Sequence, residues 1–312
     1  MIIAALFLCE QHYMTDQIID HTDDHQDRVI KGVIFALTAF ACFALTNAFA
    51  KLLSDTHHVV ELVFWRNFIV FMPFVLFILV AKKWDILKTR KPIAVMTRAI
   101  MATATLGVTF TSYKLLPMAD ATVLLFAASL ILPVLGFLFL KEHVGPYRWI
   151  AIIIGFCGVA YMAQPSGHVV MIGVIAALIA ALMQAIMMTI ARYIKTEDPM
   201  TATFYLISLG TILPAFIMPF FWQPLAPENI SLFLGMGITG GIAQLCIVNA
   251  FKNAPAAFVA ALNYTGLIWA AGLDILIWDH IPGGAVFIGG GIIIASSLFI
   301  IYRENMKKNH ES

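Results

Sequence analysis

The sequence predicts an all-α integral membrane protein with ten transmembrane helices, arranged as two inverted-topology repeats of five helices. The chain is 61% hydrophobic and 12% charged, with a mean hydropathy of +0.89, whereas soluble domains carry about 25% charged residues. Its apolar stretches are each roughly 20 residues long, which is the length that a helix needs to cross a bilayer. The second half of the chain also repeats features of the first.

The chain begins with a predicted cytoplasmic tail, residues 1–31. The apolar segment from Met1 to Cys9 has no basic flank and no cleavage site, and it is too short to span a membrane. Translation can start at Met1 or at Met14. A second, shorter cytoplasmic tail is predicted for residues 302–312.

Ten predicted spans lie between the tails. The clearest pair is the hairpin Arg98–Glu142, in which two apolar runs flank a short turn containing Pro117. Lipid offers backbone groups no hydrogen-bond partner, so such runs are expected to be transmembrane helices. Pro or Gly marks most of the connections, for example at Pro165, and these connections are too short for a soluble domain. The spans lie near residues 32–53, 60–81, 94–113, 120–140, 147–163, 170–191, 200–221, 230–251, 255–278 and 281–301.

Lysine and arginine positions predict the orientation, because they are enriched in cytoplasmic loops. With the N-terminus inside, 15 of the 19 Lys and Arg residues fall on the cytoplasmic side. The exceptions are Lys51 and Lys114, which lie outside, and Arg66 and Arg98, which lie within helices. Both termini are therefore predicted to be cytoplasmic.

An internal repeat divides the spans into two sets. GVIFALTA at residues 32–39 matches GVIAALIA at 173–180, and KLLP at 114–117 matches KNAP at 252–255. The predicted repeats are residues 32–163 and 170–301. Five is an odd number, so the second set enters the membrane upside down, which is typical of alternating-access transporters. The alternative is that apolar low-complexity sequence imitates a repeat.

Soluble catalytic and metal-binding patterns are absent from the sequence. The four cysteines lack metal-ligand or disulfide spacing, and the sequence has no P-loop, no GxGxxG after a strand, no HExxH and no GxSxG motif. No basic patch with interleaved aromatic residues suggests nucleic acid. We therefore expect no catalytic residue, metal or cofactor.

Polar and aromatic residues at mid-depth are the predicted lining of a substrate chamber, because polar groups inside a bilayer usually face a cavity or a neighbouring helix. The repeat places Phe43 opposite Gln184 and Asn47 opposite Met188. Each amide could equally bond a neighbouring helix, and each hydroxyl could bond its own helix. The predicted substrate-binding residues are Phe43, Asn47, Thr105, Thr109, Gln184, Met188, Gln244, Asn263, Tyr264 and Trp269.

Charged residues within the spans are predicted to serve either coupling or structure. Arg98 can extend its side chain to the cytoplasmic surface. Arg66 lies about 9 Å along its helix from Val60. It is either a structural anchor or a substrate contact. Asp120 is expected to complement the dipole of its helix. Asp274 is the only carboxylate predicted inside a helix, on one face with Asn263. It is either a proton-coupling site or a structural partner of Arg66 or Lys51.

The chain resembles the drug/metabolite transporter superfamily, EamA-type branch, from Gly32 to Arg303. The most specific stretches are RAIMATATLGVTFTSYKLLPMADATVLLF at 98–126 and FLFLKEHVGPYRWIAIIIGFCGVAYM at 137–162. VELVFWRNFIVF resembles the branch that contains bacterial S-adenosylmethionine and riboflavin carriers. The resemblance implies an inner-membrane carrier with a central cavity lined by both halves. The second repeat departs from the pattern, since residues 257–262 lack an equivalent of Asp120.

The sequence therefore predicts a transporter of a small organic metabolite in the bacterial inner membrane, working by alternating access. S-adenosylmethionine, riboflavin and amino acids are the candidate substrates. Two alternatives remain, a membrane-embedded enzyme acting on a lipid-linked substrate and a non-transporting scaffold. The predicted partners are the small-molecule substrate and the lipid bilayer, without nucleic acid, and a homodimer is compatible with the sequence.

Overall fold

The computed structural model describes residues 2–80, 82–141, 145–162, 170–193 and 198–311. These residues form α-helices, with two short 3₁₀ helices at Trp84–Leu87 and Met218–Phe220, and contain no β-strand. The α-helices are α1 Ile2–Leu53, α2 Val59–Val80, α3 Pro92–Leu115, α4 Met118–Leu125, α5 Ala127–Leu140, α6 Pro146–Met162, α7 Met171–Tyr193, α8 Pro199–Ile217, α9 Pro227–Asn253, α10 Ala256–Leu262, α11 Thr265–Trp278 and α12 Gly284–Glu311.

The predicted all-α membrane architecture is confirmed. Within the described ranges, 9 helical segments are long and apolar enough to cross a membrane, and the shorter apolar α6 corresponds to the remaining predicted span. The first helix begins at Ile2, although its apolar span starts at Arg28. The last residue of the predicted hairpin, Glu142, and the predicted connection at Pro165 lie outside the described residues.

Two of the predicted spans are each broken into two helices. Residues 120–140 break at Phe126, between α4 and α5, and residues 255–278 break at Asn263 and Tyr264, between α10 and α11. At each break a nearby side-chain hydroxyl donates to a backbone carbonyl. The Ser129 hydroxyl donates to the Phe126 carbonyl at 2.6 Å, and the Thr265 hydroxyl donates to the Leu262 carbonyl at 2.7 Å. Such side-chain bonds offer the backbone an alternative to the helical ladder. The breaks occupy corresponding places in the two repeats.

Helices of the first half pack mainly against helices of the second half. The main pairs are α1 with α9, α2 with α8, α3 with α7, α4 with α11 and α6 with α12. Small residues permit this close packing, and the contact face of α7 carries fully buried alanines, Ala177, Ala181 and Ala185. The two halves are thus interleaved, so residues from both can line one central chamber.

Candidate functional site

Seven helix ends meet at one end of the bundle, which we call the distal end. It contains the ends of α1, α3, α8 and α11 and the starts of α2, α4 and α9, which are joined by the polar contacts described below. For example, Lys114, in the last turn of α3, donates to the Ser54 carbonyl after α1 at 2.6 Å. The opposite end is called the proximal end.

Asp274 joins the two halves at the distal end. Its carboxylate, fully buried in α11, accepts hydrogen bonds from the backbone N–H groups of Met118 and Ala119, at 3.0 and 2.8 Å. The Lys51 ammonium lies 3.8 Å away. Lys51 also donates to the Leu116 carbonyl at 2.9 Å. These contacts fit the structural role considered for Asp274, with Lys51 rather than Arg66 as its partner.

Asp274 therefore caps a helix that Asp120 was expected to stabilise. The first N–H groups of α4 bond Asp274, whereas Oδ1 of Asp120 is buried without a hydrogen-bond partner. The helix break at Asn263 and Tyr264 lies between Asn263 and the helix that carries Asp274, and the expected common face of the two residues stays a prediction. Sequence spacing cannot show a cap that comes from the other repeat.

A second distal network surrounds His57 and Glu61, a pairing that was not predicted from the sequence. Nδ1 of His57 lies 2.7 Å from Oε2 of Glu61, and both side chains are buried. Oε1 of Glu61 accepts the backbone N–H of Gln223 at 2.5 Å, and Nε2 of His57 lies 3.2 Å from Nδ2 of Asn229. The network ties the start of α2 to both sides of the α8–α9 connection. The spacing of four residues between a histidine and a glutamate was the available signal.

The amide of Asn47 forms an interhelical hydrogen bond. Its Nδ2 donates to the Tyr113 hydroxyl at 3.3 Å, and that hydroxyl lies 3.1 Å from Oγ1 of Thr122. The chain Asn47–Tyr113–Thr122 connects α1, α3 and α4 within the first repeat. The interhelical alternative considered for Asn47 is therefore realised in this conformation.

Tyr264 lies where the two helix breaks meet. Its ring contacts the Phe126 ring edge to face, with centroids 5.0 Å apart. Ser129 and Ser297 bond each other beside these rings at 2.7 Å. Asn263 is half-buried and Trp269 is 44% exposed. The breaks therefore bring aromatic and hydroxyl groups from both repeats together.

The other predicted chamber residues differ in their surroundings. Gln184 and Gln244 are half-buried, and Met188 is 37% exposed. Phe43 is partly buried and packs against a cluster that includes Phe40 and Ala250. Within the described part of the chain, no side-chain hydrogen bond satisfies either glutamine in this conformation.

Thr105 and Thr109 of α3 were predicted either to line the chamber or to bond their own helix. The Thr105 hydroxyl is buried and donates to the Met101 carbonyl of its own helix at 2.7 Å. Thr109 is half-buried, and its carbonyl accepts the Ser112 hydroxyl at 2.7 Å. Thr105 is thus satisfied by its own helix, and a role of Thr109 in substrate binding stays a prediction.

The two intramembrane arginines lack an acidic partner among the residues that the structure describes. Arg66 is 8% exposed and Arg98 is half-buried. The Nε atom of each is buried without a hydrogen-bond partner. The described membrane-embedded carboxylates, Glu61, Asp120 and Asp274, do not form an ion pair with either arginine.

A charged cavity of about 610 Å³ lies at the proximal end, between the Trp84–Leu87 turn and the start of α8. Asp85 and Lys88 form an exposed ion pair of 2.8 Å there, which lowers the pKa of Asp85 and raises the pKa of Lys88. The Lys and Arg residues that line this cavity are those expected at a cytoplasmic membrane surface.

The described residues contain no cluster of His, Cys, Asp or Glu side chains that could hold a metal ion.

Interleaved repeats, helices broken at corresponding points and polar contacts between the halves at one end are typical of membrane transporters that work by alternating access. The model of the EamA-like transporter family matches residues 30–164 and again residues 171–302. The chain therefore belongs to the EamA-like transporter family, with two copies of its domain.

Curated relatives of similar length are also transporters. The S-adenosylmethionine uptake transporter of Rickettsia prowazekii is 25% identical, over 91% of this chain and 97% of its own. The Pseudopaline exporter CntI of Pseudomonas aeruginosa is 24% identical, over 87% of this chain and 96% of its own. A solved crystal structure shares the fold, with a TM-score of 0.59, 16% identity and coverage of 87% of this chain and 95% of that chain.

Proposed function

We propose that this protein transports an amphipathic or aromatic metabolite through a chamber between the repeats, and that S-adenosylmethionine is the first candidate. The observation that supports this most directly is the contact of Phe126 with Tyr264, because it brings the two broken helices together. Broken helices at a repeat interface commonly form the substrate site of transporters. Relatives named for S-adenosylmethionine uptake support the substrate class.

The distal end is the external end in this proposal, so both termini are cytoplasmic. Lys82, Lys83, Lys88 and Arg90 line the cavity at the proximal end, as expected for a cytoplasmic surface. The contacts of Asp274, His57 and Glu61 then close the external side. Substrate exchange with the outside requires these contacts to separate. Relatives include an uptake transporter and an exporter, so their names leave the direction of transport open.

A binding and transport experiment tests this function. Purified protein is screened by thermal shift against S-adenosylmethionine, riboflavin and amino acids, and the compounds that stabilise it are tested for uptake into proteoliposomes. We expect saturable uptake that empty liposomes lack. Stabilisation by none of these compounds, with no uptake, would refute the proposed substrate class.

Variants then test the proposed chamber. We expect Gln184→Ala, Asn263→Ala and Trp269→Ala to weaken binding while leaving the folded yield unchanged. Asn47→Ala is also expected to weaken binding, but it removes the interhelical bond to Tyr113 and so lowers stability as well. Cysteines at the same four positions should react with a small thiol reagent in at least one open state. Resistance of all four cysteines to the reagent would place the chamber elsewhere.

The enzyme alternative lacks support from the described residues. A membrane enzyme acting on a lipid-linked substrate needs catalytic carboxylates or histidines grouped at one interface. His57 and Glu61 are the closest such pair, but both are buried and both bond structural partners. No observation favours this alternative over transport.

A further inference from the structure

The guanidinium of Arg66 lies deep in the interface between α2 and α9. A Cβ atom at Gly240 of α9 would lie 2.9 Å from Nε of Arg66. Gly210 of α8 approaches the neighbouring Asn67 similarly, with a Cβ-to-amide distance of 2.9 Å. Glycine at both positions leaves room for the two polar side chains between three helices from both repeats.

The hydrogen bonding of Arg66 is incomplete. Its Nη1 donates to Oδ1 of Asn67 at 3.0 Å, and Nδ2 of Asn67 donates to the Val63 carbonyl at 2.8 Å. Asn67 is therefore held by its own helix and presents its oxygen to Arg66. The Nε–H group of Arg66 is buried without an acceptor.

No charge on the described part of the protein compensates Arg66. Glu61 bonds His57 and the Gln223 backbone, and Asp274 bonds α4 and faces Lys51. An arginine stays protonated in proteins, so it cannot become neutral to escape this environment. An uncompensated charge inside a membrane is costly and usually marks a functional pathway.

We infer that Arg66, positioned by Asn67, binds a carboxylate group of the transported substrate; this rests on the proposed transport function. The planar guanidinium matches the two oxygens of a carboxylate. Nη1 is occupied by Asn67, so the contact uses the Nε edge, and α9, whose Gly240 packs against Nε in this conformation, moves away to admit the carboxylate. One positive charge balances one carboxylate. A phosphate monoester would bring a second charge, and no second cation pairs with this site among the described residues.

Matched compounds that differ only in the carboxylate test the inference. S-adenosylmethionine is compared with decarboxylated S-adenosylmethionine, and methionine with methioninol, with riboflavin as a compound that lacks a carboxylate. Affinities are measured for the wild type, Arg66→Gln, Arg66→Lys and the exposed control Arg90→Gln. We expect the wild type and Arg90→Gln to prefer the carboxylate member at least tenfold.

Arg66→Gln is expected to lose this preference while binding the decarboxylated member as the wild type does. Arg66→Lys should keep part of the preference, because it retains the charge without the planar fork. It also provides the test if Arg66→Gln does not fold. Equal weakening of both members by either variant would show a structural anchor and overturn the inference.

The inference and the proposed function can fail separately. Uptake of riboflavin without binding of any carboxylate compound would overturn the role of Arg66 and leave transport standing. A wild type that neither binds nor transports any compound of the panel would overturn the proposed substrate class and the inference together.

Discussion

Oδ2 of Asp274 accepts a hydrogen bond of 2.8 Å from the backbone N–H of Ala119. A helix N-terminus is usually capped by the residue just before it. Here Pro117 precedes α4 and makes no side-chain cap bond, and the acceptor comes from α11 in the other repeat. Asp274 thus satisfies the start of a broken helix and fastens the repeats together at the distal end.

Asp274→Asn is expected to destabilise the protein, because it removes the charge that faces Lys51 and weakens the cap of α4. The expected loss of unfolding free energy is about 1–3 kcal/mol, measured by denaturation in detergent. The control is Asp279→Asn, an exposed residue near the end of the same helix, which should change stability by less than about 0.5 kcal/mol.

The same variant separates coupling from structure. If Asp274 is structural, uptake driven by a pH gradient and exchange of labelled for unlabelled substrate fall in parallel. Loss of driven uptake with normal exchange would instead identify Asp274 as the proton-coupling site.

Gly237→Ala is expected to disrupt the packing of α9 against α2. An added Cβ atom would lie 2.5 Å from Cβ of Ile69, which cannot move away without shifting its helix. Overpacking of this kind costs about 1–3 kcal/mol. Gly272→Ala is the matched control, since nothing lies within 4 Å of its added Cβ atom. Thermal unfolding of both variants measures the difference, and equal melting temperatures would contradict this packing.

A disulfide between Thr56→Cys and Asn229→Cys is expected to lock the distal end closed. The side-chain atoms Oγ1 of Thr56 and Nδ2 of Asn229 are 3.4 Å apart across the repeats. In a background without native cysteines, oxidation should abolish transport and a reducing agent should restore it. The two single-cysteine variants serve as controls. Full cross-linking with normal transport would show that the distal end does not need to open.

Reporter fusions test the predicted orientation. Fusions after Lys88 and after Lys307 should both report a cytoplasmic location, and one after Pro165 should report an external location. The reason is the concentration of Lys and Arg on one side of the membrane. An external reading at Lys307 would exclude both the ten-helix topology and the inverted repeat.

Part of the candidate site could be predicted from single residues. The positions of Asn47, Asn263 and Tyr264 within apolar runs identified them as polar groups at mid-depth. Their partners could not be predicted, because the Tyr113 hydroxyl that binds Asn47 and the Phe126 ring that contacts Tyr264 lie on other helices. Side-chain periodicity describes one helix at a time and does not identify its neighbours.

The sequence by itself determined the helical membrane class, nearly all of the spans and the duplication, because apolar length and repetition along the chain are local properties. Only the tertiary structure decided how α4 and α10 end, which helix Asp274 caps and that Arg66 has no described acidic partner. Those features depend on the approach of segments far apart in the chain, such as Asp274 and Ala119. In the membrane a polar group must find its partner within the protein, so packing between the repeats determines the role of each charge.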